Sequence, residues 1–555
     1  MLKYSCVVIL FLFSQVTHAQ MLGTTADSLR GSLNANRTWY DVTHYNLAVT
    51  PNITPLTIQG TNTITFKVIS TSGTMQLDLQ QPLTITAITH AGAALSYKQI
   101  DNICLVQCGQ EMPIGSSQAI TITYNGTPRR ALRAPWDGGL VWTTDDKGRP
   151  YVNTACQGLG ASVWWPCKDH QSDEPDSMRM MYTVPNGLVA VGNGKLTSMV
   201  KNNDKTTSYT WNVTNPINTY CATMNIAHYA NFTDTMQGNN GVLKLNYYVL
   251  DYNLAKAKKH FVQAKQTLRA FEYWFGPYPF YNDDYKLIET SHLGMEHQSA
   301  VAYGNKYMNG YLGNDLSGTG IGTKWDYIIV HESGHEWWGN NITTNDIADM
   351  WVHEGFTDYS ETLFTEYYYG KKAADAYCQG LRANIDNISP IIGPYGINKE
   401  GSGDMYYKGA NLIHTIRTII NNDVTFRNIL RGLNKKYYHS TVNTGDIEQY
   451  ISTQSGIDFS STFDQYLRYT AIPTVQYYVY NVGKQYYINA ILTNCIPTLT
   501  LPIPISNSAA TAKYITLNSK AYTAIPIKNK NETISAIINS NIYINSEKVL
   551  APKKL

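Results

Sequence analysis

The 555-residue sequence predicts a multidomain α+β protein with an all-β first part, a helix-dominated middle and a small β module at the end. Three observations predict it. Short alternating runs separated by Gly, Pro, Asn and Ser fill residues 37–245. Near residue 253 the apolar spacing changes to three and four. Alternation returns after Ile472-Pro473. A chain of this length exceeds one simple core, so two to four domains are expected.

The first element, MLKYSCVVILFLFSQVTHAQ, has a positive Lys3, an apolar run from Val7 to Phe13, and small residues suited to cleavage after Ala19. The run falls short of the ~20 residues that a spanning helix needs. Residues 1–19 are therefore expected to be a cleaved secretory signal, with no integral membrane span elsewhere. Residues 20–36, small and polar, are expected to form a flexible leader. The β domain at 37–245 contains alternating runs such as NTITFKVIS and AITITY. In the middle block, 246–472, Leu254, Phe261, Ala264, Leu268, Phe271 and Trp274 mark one buried helix face, which Gly276, Pro277 and Pro279 end. Further helices are predicted near 325–340, 352–370 and 405–432. Residues 473–555 open with TVQYYVYNVGKQYYINAIL, two strands around a turn at Asn481 to Lys484.

Lys+Arg is 43 and Asp+Glu is 41, a net charge of +2. That balance offers no footing for a nucleic-acid groove or a polybasic membrane patch. Of eight cysteines, Cys6 lies in the signal. Export would allow disulfides, and Cys104 with Cys108 and Cys156 with Cys167 are two candidate pairs. Zinc ligation by Cys104 and Cys108 lacks a second ligand pair at finger spacing. Nothing in the sequence sets the oligomeric state.

The chemistry centres on HESGHEWWGN at residues 331–340. Positions i and i+4 of a helix share a face about 5–6 Å apart, so His331 and His335 can present two imidazoles to one ion. Glu332 projects about 100° away around the helix, beside the ion, where a general base can take a proton from water. Catalytic zinc sites often use two histidines and a glutamate. WVHEGFTDYSETLF supplies Glu354, after a gap long enough to end one helix and return on another. Glu361, two turns further along the same face, is a candidate partner for a ligand histidine; otherwise it is a surface carboxylate.

H-E-x-x-H followed by this gap and a Glu resembles the gluzincin zinc aminopeptidases, the family of aminopeptidase N and the leukotriene hydrolase/aminopeptidase. Trp337, Gly339 and Asn340 fit the family pattern, while His353 replaces the Asn of W-x-N-E-G-F. Leu293-Gly294-Met295-Glu296-His297 is similar to the exopeptidase motif G-x-M-E-N, with Leu and His at the outer positions. TACQGLGASVWWPCKDH resembles the family's C-Q-A…P-C segment, and Tyr406-Tyr407-Lys408-Gly409-Ala410 its Y-x-K-G-A. RTWYDVTHYNLAVTPN at 37–52 resembles the opening strand of the family's saddle-shaped β domain.

The resemblance implies an N-terminal β saddle and a thermolysin-like, mainly helical catalytic domain; the large helical C-terminal domain of many members does not fit in the 83 residues after 472, where the alternation gives a small β domain. It implies one zinc ion on His331, His335 and Glu354, and a water deprotonated by Glu332 that hydrolyses the first peptide bond. Tyr406, with Tyr407 as the alternative, would stabilise the oxyanion. Glu296, helped by Gln157, would hold the free amino terminus of a peptide substrate, with Gly294 and Met295 bordering it. An ammonium taken partly out of water needs a fixed anion, which is why Glu296 would define an aminopeptidase. If His297 faced that amine, its protonation would weaken binding at low pH. A zinc endopeptidase on the same site and a non-catalytic binding protein on this scaffold are the alternatives.

Overall fold

The computed structural model describes residues 24–552 apart from 72, 110 and 505–513. The expected signal at 1–19 lies outside the described residues. Alternation along Tyr40–Asn52 buries Tyr40 and Val42, then Tyr45, Leu47 and Val49. A register shift between Val42 and His44 resets the phase. This strand sits inside an eight-stranded sheet, antiparallel to Thr57–Val68 on one side and parallel to Ser177–Pro185 on the other. A three-stranded and a four-stranded sheet accompany it. The four-stranded one contains Pro150–Ala155, which leads directly to Gln157.

The hairpin Tyr229–Gly238 and Gly241–Leu250 does not pair with these sheets. It joins Tyr285–Glu289, Val301–Tyr303 and the edge strand Gly294–Met295 in a five-stranded middle sheet. The middle unit thus begins near Tyr229, ahead of the change of period that set the expected boundary at 245–246. Periodicity identifies a strand without identifying its neighbour. Alternation gives this sheet two packed faces. Leu287, Val301 and Tyr303 join the core of the helices, while Ile288, Met295 and Ala302 join the core of the first domain. Glu296 follows the edge strand at the seam between the two cores.

The first helical stretch is two helices, Leu254–His260 and Val262–Phe275, with Phe261 at the joint. Gly276, at φ 99°, ends the second. The predicted helix at 325–340 is only Tyr327–Gly334, and the one at 405–432 is two, Tyr407–Ile420 and Asp423–Lys436.

The described part of the expected flexible leader, residues 24–36, contains regular structure. Thr25–Gly31 is a helix opened by a capping box in which Thr24 and Asp27 exchange hydrogen bonds. Arg30 is buried, donating to the Leu159 carbonyl and lying 3.5 Å from Asp169. Asn398 N–H donates to the Asp27 carbonyl at 3.0 Å. The space at Gly31 is filled by the Ile397–Asn398 backbone, which a Cβ would meet at 2.2 Å. A polar composition hid this helix, because its anchorage is polar.

The last residues form the expected hairpin, Thr474–Val482 with Gln485–Thr493, inside a four-stranded sheet. Val475, Ile488, Leu492 and Ile525 belong to the same core as the helices of the middle unit. The seven described cysteines are all free thiols, so neither candidate disulfide forms. No helix among the described residues is long and apolar enough to cross a membrane.

Candidate active site

Asp326 caps the His331 helix by accepting from Ile329 N–H at 3.1 Å. The helix ends at Gly334, but His335 keeps right-handed helical angles (φ −62°, ψ −20°), so the i, i+4 relation survives. The Glu354 helix runs Trp351–Tyr369, reached through the strand Ile342–Thr344 and a short turn at Ile347–Asp349.

The structure brings His331, His335 and Glu354 together, with their ligand atoms within 4.8 Å of one another. Glu354 Oε2 lies 3.6 Å from His331 Nε2 and 3.4 Å from His335 Nε2. It is enclosed and has no hydrogen-bond partner. Ligands about 2.0–2.1 Å from a tetrahedral zinc ion stand roughly 3.3–3.4 Å from one another. The far nitrogens of both rings are occupied. His331 Nδ1 meets Glu361 Oε1 at 2.7 Å, and His335 Nδ1 meets the Trp338 carbonyl at 3.0 Å. With the Nδ1 protons held there, both Nε2 lone pairs face Glu354. This donor set fits zinc. Glu361 is fully buried and also accepts from Tyr377 OH at 2.6 Å, so it is no surface carboxylate.

Glu332 lines the same cleft, a cavity of about 300 Å³, together with Gly294, Met295, Glu296, Gln157 and Tyr406. Burial pushes its carboxyl up to about 7, against the pull of the His331 and His335 imidazoles. Glu296 is 2% exposed, and its Oε1 has no partner. Its backbone carbonyl is held by Asn340 Nδ2 at 3.1 Å. Gln157 Nε2 donates to Glu354 Oε1 at 2.6 Å, so the first domain reaches the metal-ligand cluster directly. Tyr406 stacks on His331 with ring centroids 6.2 Å apart. Tyr407 also lines the cleft, but its charged neighbours are Asp358 and Glu361, behind the histidines.

Sequence reasoning missed several residues here. Tyr311, Leu316 and Ile328 wall the cleft, and no motif marks them. Glu336 accepts from Tyr278 OH at 2.7 Å and Ser299 N–H at 2.9 Å beneath the histidine helix. Glu336 directly follows His335, and its burial, which pushes the carboxyl up to about 7, is a signal only coordinates reveal.

His297 does not face a substrate amine. It is fully buried, lies outside the cleft lining, and is held well below its usual range by burial and by His292. The expected acid-side weakening through His297 therefore has no structural basis. Its burial has another consequence. Burial also lowers His170, His292 and His439 to about 4. The folded state refuses protons that the unfolded chain accepts near 6.5, so stability is full above that pH and is lost as pH falls toward 4. Each such histidine removes about 1.4 kcal/mol per pH unit over that window. Carboxyls pushed up to about 7, such as Glu332 and Glu336, contribute with the opposite sign, so the histidine part is read by substitution: with chelator present, His292→Gln should lose less of its thermal midpoint between pH 6.5 and 5 than wild type. An unchanged pH dependence in His292→Gln would contradict the buried, neutral state of that ring.

Two family profiles match the chain: the Peptidase M1 N-terminal domain over residues 42–221 and the Peptidase family M1 domain over 260–466. Together they cover well over half of the sequence. The chain belongs to peptidase family M1. The M1 chain is 21% identical over 422 residues to endoplasmic reticulum aminopeptidase 1 of Rattus norvegicus, covering 72% of this sequence and 44% of that one. It is 22% identical over 478 residues to aminopeptidase N of Lactobacillus helveticus, covering 80% and 53%. It thus spans about half the length of these curated relatives. An M1 zinc metallopeptidase variant of Deinococcus radiodurans, solved with Tyr-Ser-Ala, shares its fold with TM-score 0.67 and 21% identity, covering 78% of this chain and 95% of that one.

Proposed function

We propose that this M1 chain is a zinc-dependent aminopeptidase that releases the first residue from peptides with a free amino terminus. The observation that carries this reading is Glu296: an enclosed carboxylate with an unpartnered oxygen, within 4.8 Å of Glu332 and His335. A buried carboxylate without a partner is costly unless a cation arrives. The aminopeptidase names of its relatives and the tripeptide bound to its structural neighbour support the same reading.

His331, His335 and Glu354 would hold one zinc ion. When bound, zinc supplies Lewis acidity that makes water nucleophilic near neutral pH and draws charge from the scissile carbonyl. Glu332 takes a proton from the attacking water and returns it to the leaving amine. Tyr406 donates to the oxygen on which negative charge gathers. Glu296 holds the substrate ammonium. Gln157 Nε2 is committed to Glu354, which leaves Oε1 to accept from the same ammonium. Met295 borders the first residue, and Glu361 keeps His331 aimed. Export through residues 1–19 belongs to this proposal.

Aminoacyl reporter amides should be hydrolysed, should stop being hydrolysed with chelator, and should recover with added zinc. N-acetylation of a peptide substrate should reduce turnover at least about a hundredfold, because it removes the charge Glu296 awaits. Undiminished cleavage of the acetylated peptide would point to an endopeptidase instead.

A further inference from the structure

Behind Gln157 and Tyr406 the cleft opens into a second cavity of about 250 Å³. Pro135, Trp136, Gln157 and Tyr406 line both, so the two form one continuous space. The second cavity has apolar walls, Pro135, Trp136 and Leu159, and no Lys, Arg or His lines it. Trp136 is 68% exposed, an indole left uncovered beside a reaction centre. Two carboxylates are present. Asp137 is committed, its Oδ2 accepting from Leu132 N–H at 2.7 Å and Arg133 N–H at 2.9 Å. Glu400 makes no hydrogen bond or ion pair with any described residue. Of the adjoining loop's three arginines, Arg129 and Arg130 donate to the carbonyls of Asp137 and Trp142, and Arg133 does not line the cavity.

The cavity can be oriented along the reaction. Glu296 awaits the substrate ammonium, and Glu332 serves the leaving amine. The charged groups that act on Glu400 are Glu354 and Glu296. Across the cleft, those acting on Tyr311 are Glu332 and His331. Gln157, whose Oε1 is free to accept from the ammonium, lines the Glu400 cavity, whereas Glu332, Tyr311 and Ile328 line only the main cleft, so the Glu400 cavity is at the ammonium end, where the first side chain departs from the backbone.

We propose that this cavity receives the first side chain of the substrate and that Glu400 is a specificity-determining residue selecting a cationic one, lysine or arginine. The apolar stem of such a side chain packs along Pro135 and Leu159, its charged head meets Glu400, and the Trp136 face adds a cation–π contact. This rests on the aminopeptidase reading and names its substrate class.

Arginine and citrulline reporter amides test it, since they match in shape and differ in charge. Wild type should favour arginine over citrulline in kcat/KM by about tenfold or more. Glu400→Gln should bring that ratio to within about twofold of one, and Glu400→Lys should invert the order of arginine and glutamate reporters. Both variants should keep the wild-type thermal midpoint, because the Glu400 side chain makes no hydrogen bond or ion pair with any described residue. A wild-type ratio near one, or a ratio unchanged in Glu400→Gln, overturns the assignment and leaves the aminopeptidase reading standing. No hydrolysis of any reporter by zinc-loaded wild type, neutral residues included, overturns both.

Discussion

Glu332→Gln is expected to lower kcat about a thousandfold while zinc content and peptide affinity stay near wild type. The amide has the size of the carboxylate but cannot accept the proton of the attacking water, and positioned proton transfer contributes roughly 10²–10⁴-fold. The Glu332 side chain makes no hydrogen bond to any described residue that the change would break, and it is not one of His331, His335 and Glu354, whose ligand atoms converge. The loss should therefore appear in kcat with KM little altered. Metal analysis and binding of an uncleaved peptide separate this from a folding defect. A kcat within tenfold of wild type would remove Glu332 from its role.

Gly294→Ala should be nearly as damaging, for a steric reason. A Cβ at residue 294 would stand 2.3 Å from Glu332 Oε1 and 3.0 Å from Ile328 Cγ2. Real atoms do not approach so closely, and the easiest relief is rotation of Glu332 away from the water it must deprotonate. A loss of about a hundredfold in kcat follows, since a misplacement of about 1 Å can cost that much. The two substitutions act on one element, so Gly294→Ala combined with Glu332→Gln should lose little beyond Glu332→Gln alone. Full additivity, or near-normal kcat in Gly294→Ala, would show that residue 294 does not position the base.

The metal triad was legible because helix geometry is local: four residues place His331 above His335, and a turn-length gap returns Glu354. Glu361 was legible for the same reason, two turns along one helix. Glu296 could be located but not oriented, and its neighbour His297 shows the limit. Both residues follow the edge strand Gly294–Met295, beyond its alternation, so no periodicity in the sequence says which of them faces the cleft. The disulfide candidates were proximity arguments along the chain, and proximity in sequence does not bring sulfurs together. The Thr25–Gly31 helix and Glu400 were missed because each depends on residues far away, Leu159, Asp169 and Asn398 for one, Trp136 and Gln157 for the other. The sheet that the Tyr229–Leu250 hairpin joins was hidden for a similar reason, because strand partners are set by packing.

The Thr25–Gly31 helix has a consequence for how the molecule is made. It leaves the ribosome ahead of every surface it rests on. The loop at Leu159 and Asp169 follows later, and the Ile397–Asn398 backbone later still. Contacts so distant along the chain form late. This earliest segment must therefore wait unseated, and a nascent chain halted before residue 398 should leave it open to protease.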